Sequence, residues 1–404
     1  MRSSILSSLL AAAGIWLATA PAAAAPEQCG TCHPESRVEV ANSVHPAEGV
    51  TCSSCHGGNP DSLDTGAAHR GDFRPLGNRL ESPAHCAKCH SDLAKMRPYN
   101  LPVSQYAVYQ TSRHGMAISA GDPRAAICSD CHGFHDVRKS TDPLSPVSAF
   151  NVTDTCASCH ADEGLMSAYG IDAGVVDEYR SSIHAQRLLT DRNLAAPNCT
   201  SCHGSHGPAP PGVGDVDKVC GSCHVETRLA FLDGPHYRAM VDADLPECAS
   251  CHSNHAILRF QVAEIEPLCA ECHGEGSDES ALGGKFTSLI ENTQEELTEA
   301  EVLIARAQRV PLNVEDHLGR LEEGRTFLTE AYPLIHSVNL DSVERVTRRA
   351  RSIGNEIQHE LYSRLDRRVA HATLAVFWFY LLMTVAILWR YRKRLVAADA
   401  RERP

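Results

Sequence analysis

The sequence predicts a mainly α-helical protein with extensive loops, ending in a helical bundle and one apolar helix. Three observations carry that prediction. All 18 cysteines of the 404-residue chain lie between Cys29 and Cys272, in short units separated by Gly- and Pro-rich stretches that favour turns. Beyond Gly276 cysteine is absent, and apolar residues recur at the three- and four-residue spacing of an amphipathic helix. Near the end, Leu374–Trp389 holds no charged residue and, with its flanks, is long enough to cross a bilayer core as a transmembrane helix.

Residues 1–25 begin with Arg2, continue through an apolar stretch and end in alanines, the pattern of a cleavable signal peptide. Ser7 and Ser8 interrupt the apolar stretch and argue against a permanent span there. Only 5% of residues are aromatic, few for a chain that must bury an ordinary core. Charge is uneven. Pro26 to Glu275 carries 31 acidic and 18 basic residues, a net −13, whereas the part from Gly276 onward carries 19 and 18. An acidic surface of this kind argues against nucleic acid as a partner and favours a basic docking partner.

The cysteines form nine Cys-x-x-Cys-His units. These are Cys29, Cys32 and His33; Cys52, Cys55 and His56; Cys86, Cys89 and His90; Cys128, Cys131 and His132; and Cys156, Cys159 and His160. The remaining four are Cys199, Cys202 and His203; Cys220, Cys223 and His224; Cys248, Cys251 and His252; and Cys269, Cys272 and His273. No cysteine is left for a disulfide. Two thiols at this spacing followed directly by histidine attach a c-type haem. The thiols bond the porphyrin, and the histidine binds the iron. A zinc half-site or a redox dithiol would use the cysteines alone and leave nine histidines unexplained. The reading is nine covalent haem c groups over residues 26–275, about 28 residues for each. So short a chain builds no ordinary core beside nine porphyrins. It reads as a wrapping around a haem stack.

Repetition explains the other histidines of the segment. Tyr109–Gly115, Tyr179–Ala185 and Phe231–Tyr237 each place an aromatic residue five positions before a lone histidine: His114, His184 and His236. Val40–Pro46, with His45, is a weaker copy. A motif begins 14, 15 and 12 positions after the three lone histidines, each time extended to Cys-x-x-Cys-His-x-x-His by His135, His206 and His255. A plain motif begins 28, 21 and 21 positions further on. Three modules result, with a degenerate fourth starting at His45 and the motif at Cys29 standing alone. His69 and His85 lie near the degenerate copy, which lacks the trailing histidine.

His135 emerges from the same side of the same helical turn as His132, so it cannot reach the far face of the same porphyrin. If it binds iron, that iron belongs to another haem. Nine histidines outside the motifs lie in the segment: His45, His69, His85, His114, His135, His184, His206, His236 and His255. Nine irons and nine such histidines point to bis-histidine ligation throughout. Met96, Met116, Met166 and Met240 read as packing rather than as ligands.

After Gly276 a helix carries Phe286, Ile290, Leu297, Ala300, Ile304 and Ala307 on one face, and Pro311 breaks it. A second, with Val314, Leu318, Leu321 and Leu328, ends near Pro333; a third starts at about Asp341. Residues 276–368 thus form an antiparallel amphipathic bundle or stalk. Residues 369–390 form the transmembrane helix, and 391–404, beginning Tyr-Arg-Lys-Arg, form a cytoplasmic tail by the excess of basic residues. Of the four histidines beyond the haem segment, His336, in the loop before the third helix, is best placed as an additional ligand. His317, His359 and His371 are the others.

The motif array, the doubled histidines and the aromatic lead-ins resemble the multihaem c-type cytochromes of respiratory bacteria, over roughly Cys29 to His273. A helical tail after the last haem is similar to the cytochrome c nitrite reductase and hydroxylamine oxidoreductase group. Two departures separate the chain from that group's catalysis: it has no Cys-x-x-Cys-Lys haem, and its histidines suffice for every sixth position. The resemblance implies a haem-stacked electron carrier on the periplasmic face of the bacterial inner membrane. It would work between a quinol-oxidising membrane complex and periplasmic redox partner proteins. The alternative is an oxidoreductase acting on a small nitrogen or sulfur species at one open-coordinate haem, which needs proton-moving side chains beside the iron. The sequence favours the carrier over the catalyst.

Overall fold

The computed structural model describes residues 27–210, 213, 216–310 and 312–402. The expected signal peptide and Pro311 lie outside the described residues. Among the described residues there is no β-strand, as the composition of the cysteine-rich segment and the periodicity of the tail lead one to expect. The chain divides into two compact units, Met1–Arg180 with His184–Pro211, and Ser181–Ile183 with Gly212–Pro404.

In the first unit almost every element is a helix of one or two turns. Six motifs lie on such pieces: Cys29–Cys32, Cys52–His56, Ser82–His90, Cys128–His132, Val152–His160 and Cys199–His203. One turn is what the spacing needs, because residues three and four apart share a helix face. Burial of apolar side chains is scattered; among the described residues of this unit Ile118, Ala125 and Ile127 form a contiguous cluster. Phe134, Leu144 and Leu194 stand 69%, 71% and 68% exposed, large apolar surfaces of the kind that a bound apolar group covers.

The residue after the motif histidine decides where the chain goes next. Gly57, Gly133, Gly204 and Gly274 all have positive φ there, and so does Ser253, at 64°. The helix therefore stops at His132, and the chain turns through the left-handed conformation that glycine tolerates. His135 lies beyond that reversal rather than on the same turn as His132.

The second unit carries the other three motifs, on a 3₁₀ turn Val216–Ser222, on Ala249–His252 and on Ile265–His273. It continues into three long helices: Asp278–Gln308, Glu315–Ile335 and Leu340–Glu402. Ser277 caps the first by accepting from the amide of Ser280 at 3.1 Å, a standard N-cap. Ile265, Phe286, Ile290, Ala331 and Val343 form one apolar cluster at the end nearest the motifs. Leu297, Ile304, Leu321, Ala350, Ile357 and Leu361 belong to a second, further along. The second helix runs two residues past Pro333, to Ile335. The third continues unbroken from the bundle into the apolar run. From Val369 to Val396 its large apolar side chains are exposed. It is the one helix among the described residues long and apolar enough to cross a membrane.

Candidate haem sites

Seven of the nine motif histidines face a second histidine across a gap of nearly constant width. Ring centroids are 6.2 Å apart for His33 and His69, 6.3 Å for His90 and His45 and 6.3 Å for His56 and His135. The separation is 6.0 Å for His160 and His114 and 6.0 Å for His132 and His206. It is 6.1 Å for His273 and His236 and 6.1 Å for His252 and His336. A metal held between two imidazole nitrogens at about 2 Å each, with each nitrogen about 1 Å from its ring centre, sets the centroids about 6 Å apart. The donor set and the spacing therefore fit iron between paired imidazoles. His184, His203, His224 and His255 each make a polar, ring or electrostatic contact too.

The pairs follow the repeat. A lone histidine faces the second motif of its own module: His114 meets His160, His236 meets His273, and in the degenerate copy His45 meets His90. A trailing histidine reaches back to the first motif of the preceding module, His135 to His56 and His206 to His132. The thiols of Cys86 and Cys128 are hydrogen-bonded neighbours, as are those of Cys156 and Cys199, so consecutive modules meet motif against motif.

Several rings are also oriented from behind. His56 Nδ1 lies 2.9 Å from the Arg74 carbonyl, which fixes Nδ1 as donor and leaves Nε2 as the free lone pair. His135 Nδ1 lies 3.0 Å from a Glu39 carboxylate oxygen, and His336 Nδ1 lies 3.2 Å from the Pro333 carbonyl. Metal-binding histidines are commonly held this way. Burial disfavours the charged imidazolium at His45, His114 and His206, among others, and lowers their pKa from the ordinary value. The neutral ring is the form that binds metal.

The aromatic lead-ins have a visible task that the sequence did not reveal. The Tyr109 hydroxyl donates to the Ala126 carbonyl at 2.8 Å, and Tyr179 donates to the Pro197 carbonyl at 2.9 Å. Each accepting carbonyl lies two residues before the first cysteine of a motif, so the lead-in holds the next attachment turn in place. Arg79 fixes the fourth motif from inside. It forms a bidentate pair with Asp130 at 2.9 and 2.6 Å, and Asp130 also accepts from the Ile127 amide at 2.8 Å.

His85 stands apart. Among the described residues no motif histidine faces it across such a gap. It bonds the Cys55 backbone and has Lys88 and Arg74 nearby. His336, from the helical tail, faces a motif histidine instead. Met96 and Met166 are buried, in keeping with packing.

No protein-family model matches the chain, and no solved structure does. One relative carries the comparison: the C-type polyheme cytochrome OmcC of Geobacter sulfurreducens, 27% identical over 196 residues. The chain is a distant relative of a polyheme c-type cytochrome. The match covers 40% of this chain and 22% of OmcC, so the chain spans under a quarter of that relative's length.

Proposed function

We propose that this chain is a membrane-anchored electron carrier with nine c-type haems, attached at its nine motifs and held mostly or wholly between two histidines. The carrying observation is the recurring gap of 6.0 to 6.3 Å between a motif histidine and a second ring. When bound, haem supplies a one-electron iron couple whose potential the axial ligands and the surroundings set.

The rest is the work of the chain. A pair of imidazoles holding each iron would leave no donor position for substrate, and electron exchange would be the chemistry that the haem supplies there. His132 and His135, on either side of the Gly133 reversal, tie two sites together through one tight turn, and His203 and His206 repeat the device around Gly204.

Residues 1–25 direct export and leave 26–275 on the periplasmic face of the inner membrane. Residues 276–368 raise that segment on a stalk, 369–390 span the bilayer and 391–404 lie in the cytoplasm. The acidic excess of the haem segment suits basic redox partner proteins, with a quinol-oxidising membrane complex as the upstream source.

The test is a haem count with an optical and carbon monoxide titration of the purified full-length holoprotein. Nine haems per chain, low-spin throughout and unresponsive to carbon monoxide, are expected. A high-spin fraction that binds carbon monoxide in the parent protein would overturn the carrier reading in favour of an oxidoreductase with an open iron.

A further inference from the structure

The modular rule leaves one motif unserved. A first motif takes its second histidine from the module that follows, as His56 takes His135 and His132 takes His206. The motif Cys248–His252 belongs to the module that starts at His236, and residues 274–404 hold no further doubled motif to supply it. We infer that His336, from the C-terminal bundle, is the sixth ligand of the haem attached at Cys248 and Cys251. This deepens the proposed function and rests on it.

Four observations carry the assignment. The His252 and His336 rings face each other at 6.1 Å, within the range of the other pairs. His336 Nδ1 is turned to the Pro333 carbonyl at 3.2 Å, so Nε2 is the atom left for a metal. The chain is then forced to turn sharply: Val338, a β-branched residue, has φ of 55°, a conformation such residues rarely adopt and that surrounding structure must enforce. Lastly, the module that starts at His236 leaves room for this turn. Where the other lead-ins carry Ser112 and Ser182, it carries Gly234. A Cβ there would come 2.7 Å from the His336 carbonyl oxygen and 3.2 Å from Ser337 Cα, both backbone atoms that cannot swing aside. Glycine leaves the room.

The tail is therefore part of the haem-binding structure. The helix Glu315–Ile335 delivers a ligand at its C-terminus, and the membrane-length helix starts at Leu340, four residues later.

The test is His336→Ala in the full-length holoprotein, beside His85→Ala and His317→Ala. For His336→Ala we expect about one haem in nine to become high-spin and to bind carbon monoxide, with added imidazole restoring the low-spin spectrum. The other two variants should match the parent. A His336→Ala protein that stays fully low-spin would overturn the assignment, as would an opened haem in His85→Ala. If His336→Ala does not accumulate, His336→Met decides. A methionine ligand raises the potential of one haem in nine, and an unchanged set of potentials sinks the proposal. Carbon monoxide binding by the parent protein itself is a separate outcome, which defeats the carrier reading rather than this ligand.

Discussion

The cysteine-rich segment and the helical bundle are both helical, yet they are organised by opposite means. In the bundle, Ile290, Ile304, Leu321, Val343, Ile357 and Leu361 are almost wholly buried, within two apolar clusters built mostly from the three long helices. Among the described residues of the first unit the contiguous apolar cluster is three residues, and Phe134, Leu144 and Leu194 are largely exposed. One region carries its core in its own side chains. The other presents paired histidines and cysteine-bearing turns, with little apolar burial of its own among the described residues. Helix propensity plays little part in that difference, since a helix of one turn is unstable alone. The wrapping must be stabilised by what it wraps.

Preventing haem attachment tests this contrast most severely. A chain made without haem maturation should keep a protease-resistant helical core over about residues 278–365, while the part before Glu275 is digested. Limited proteolysis followed by mass spectrometry reads this directly, and equal resistance of both regions would erase the distinction. Next in size is a cavity in the bundle. Ile357→Ala, at a fully buried position, should cost about 2–5 kcal/mol. It should lower the thermal midpoint of the helical signal and leave the haem spectrum untouched.

The smallest effect concerns a polar tie within the wrapping. Burial works against the Asp130 charge, but the Arg79 hydrogen bonds and the Ile127 amide outweigh it and hold its pKa below the ordinary aspartate value. A carboxyl depressed in this way contributes stability that is present at neutral pH and lost as pH falls through its lowered pKa. Arg79→Ala should therefore cost about 1–2 kcal/mol at neutral pH, with a loss that shrinks on acidification. Chemical denaturation at several pH values checks it, and a pH-independent difference would mean that Arg79 acts by packing.

The sequence was legible where chemistry demands a fixed spacing. The motif cysteines and histidines, the repeat of lone and trailing histidines, and the three tail helices could all be read from residue types and period. His69 was harder, because only its proximity to the degenerate module pointed to it. His85 and His336 show the limit. Both are solitary histidines, and neither lies in a repeat position. What separates them is long-range: a carbonyl of Cys55 on one side, the approach of Gly234 on the other. No local pattern encodes that approach, although a glycine where the other modules have serine was its trace. The role of Tyr109 and Tyr179 was hidden for the same reason, since their acceptors lie 17 and 18 residues downstream.

The helix that begins at Leu340 has a mechanical consequence. At 1.5 Å per residue, the stretch from Leu340 to Val369 is about 44 Å long, and the motif Ile265–His273 packs at its upper end, against Phe286 and Val343. With residues 369–390 in the bilayer, as proposed, that motif rides on a mast well above the lipid headgroups. On that proposal a donor dissolved in the lipid would not touch it, and electrons would have to be carried up by a neighbour that protrudes to comparable height or by a diffusing shuttle. Shortening the mast by whole turns sets how far they have to go.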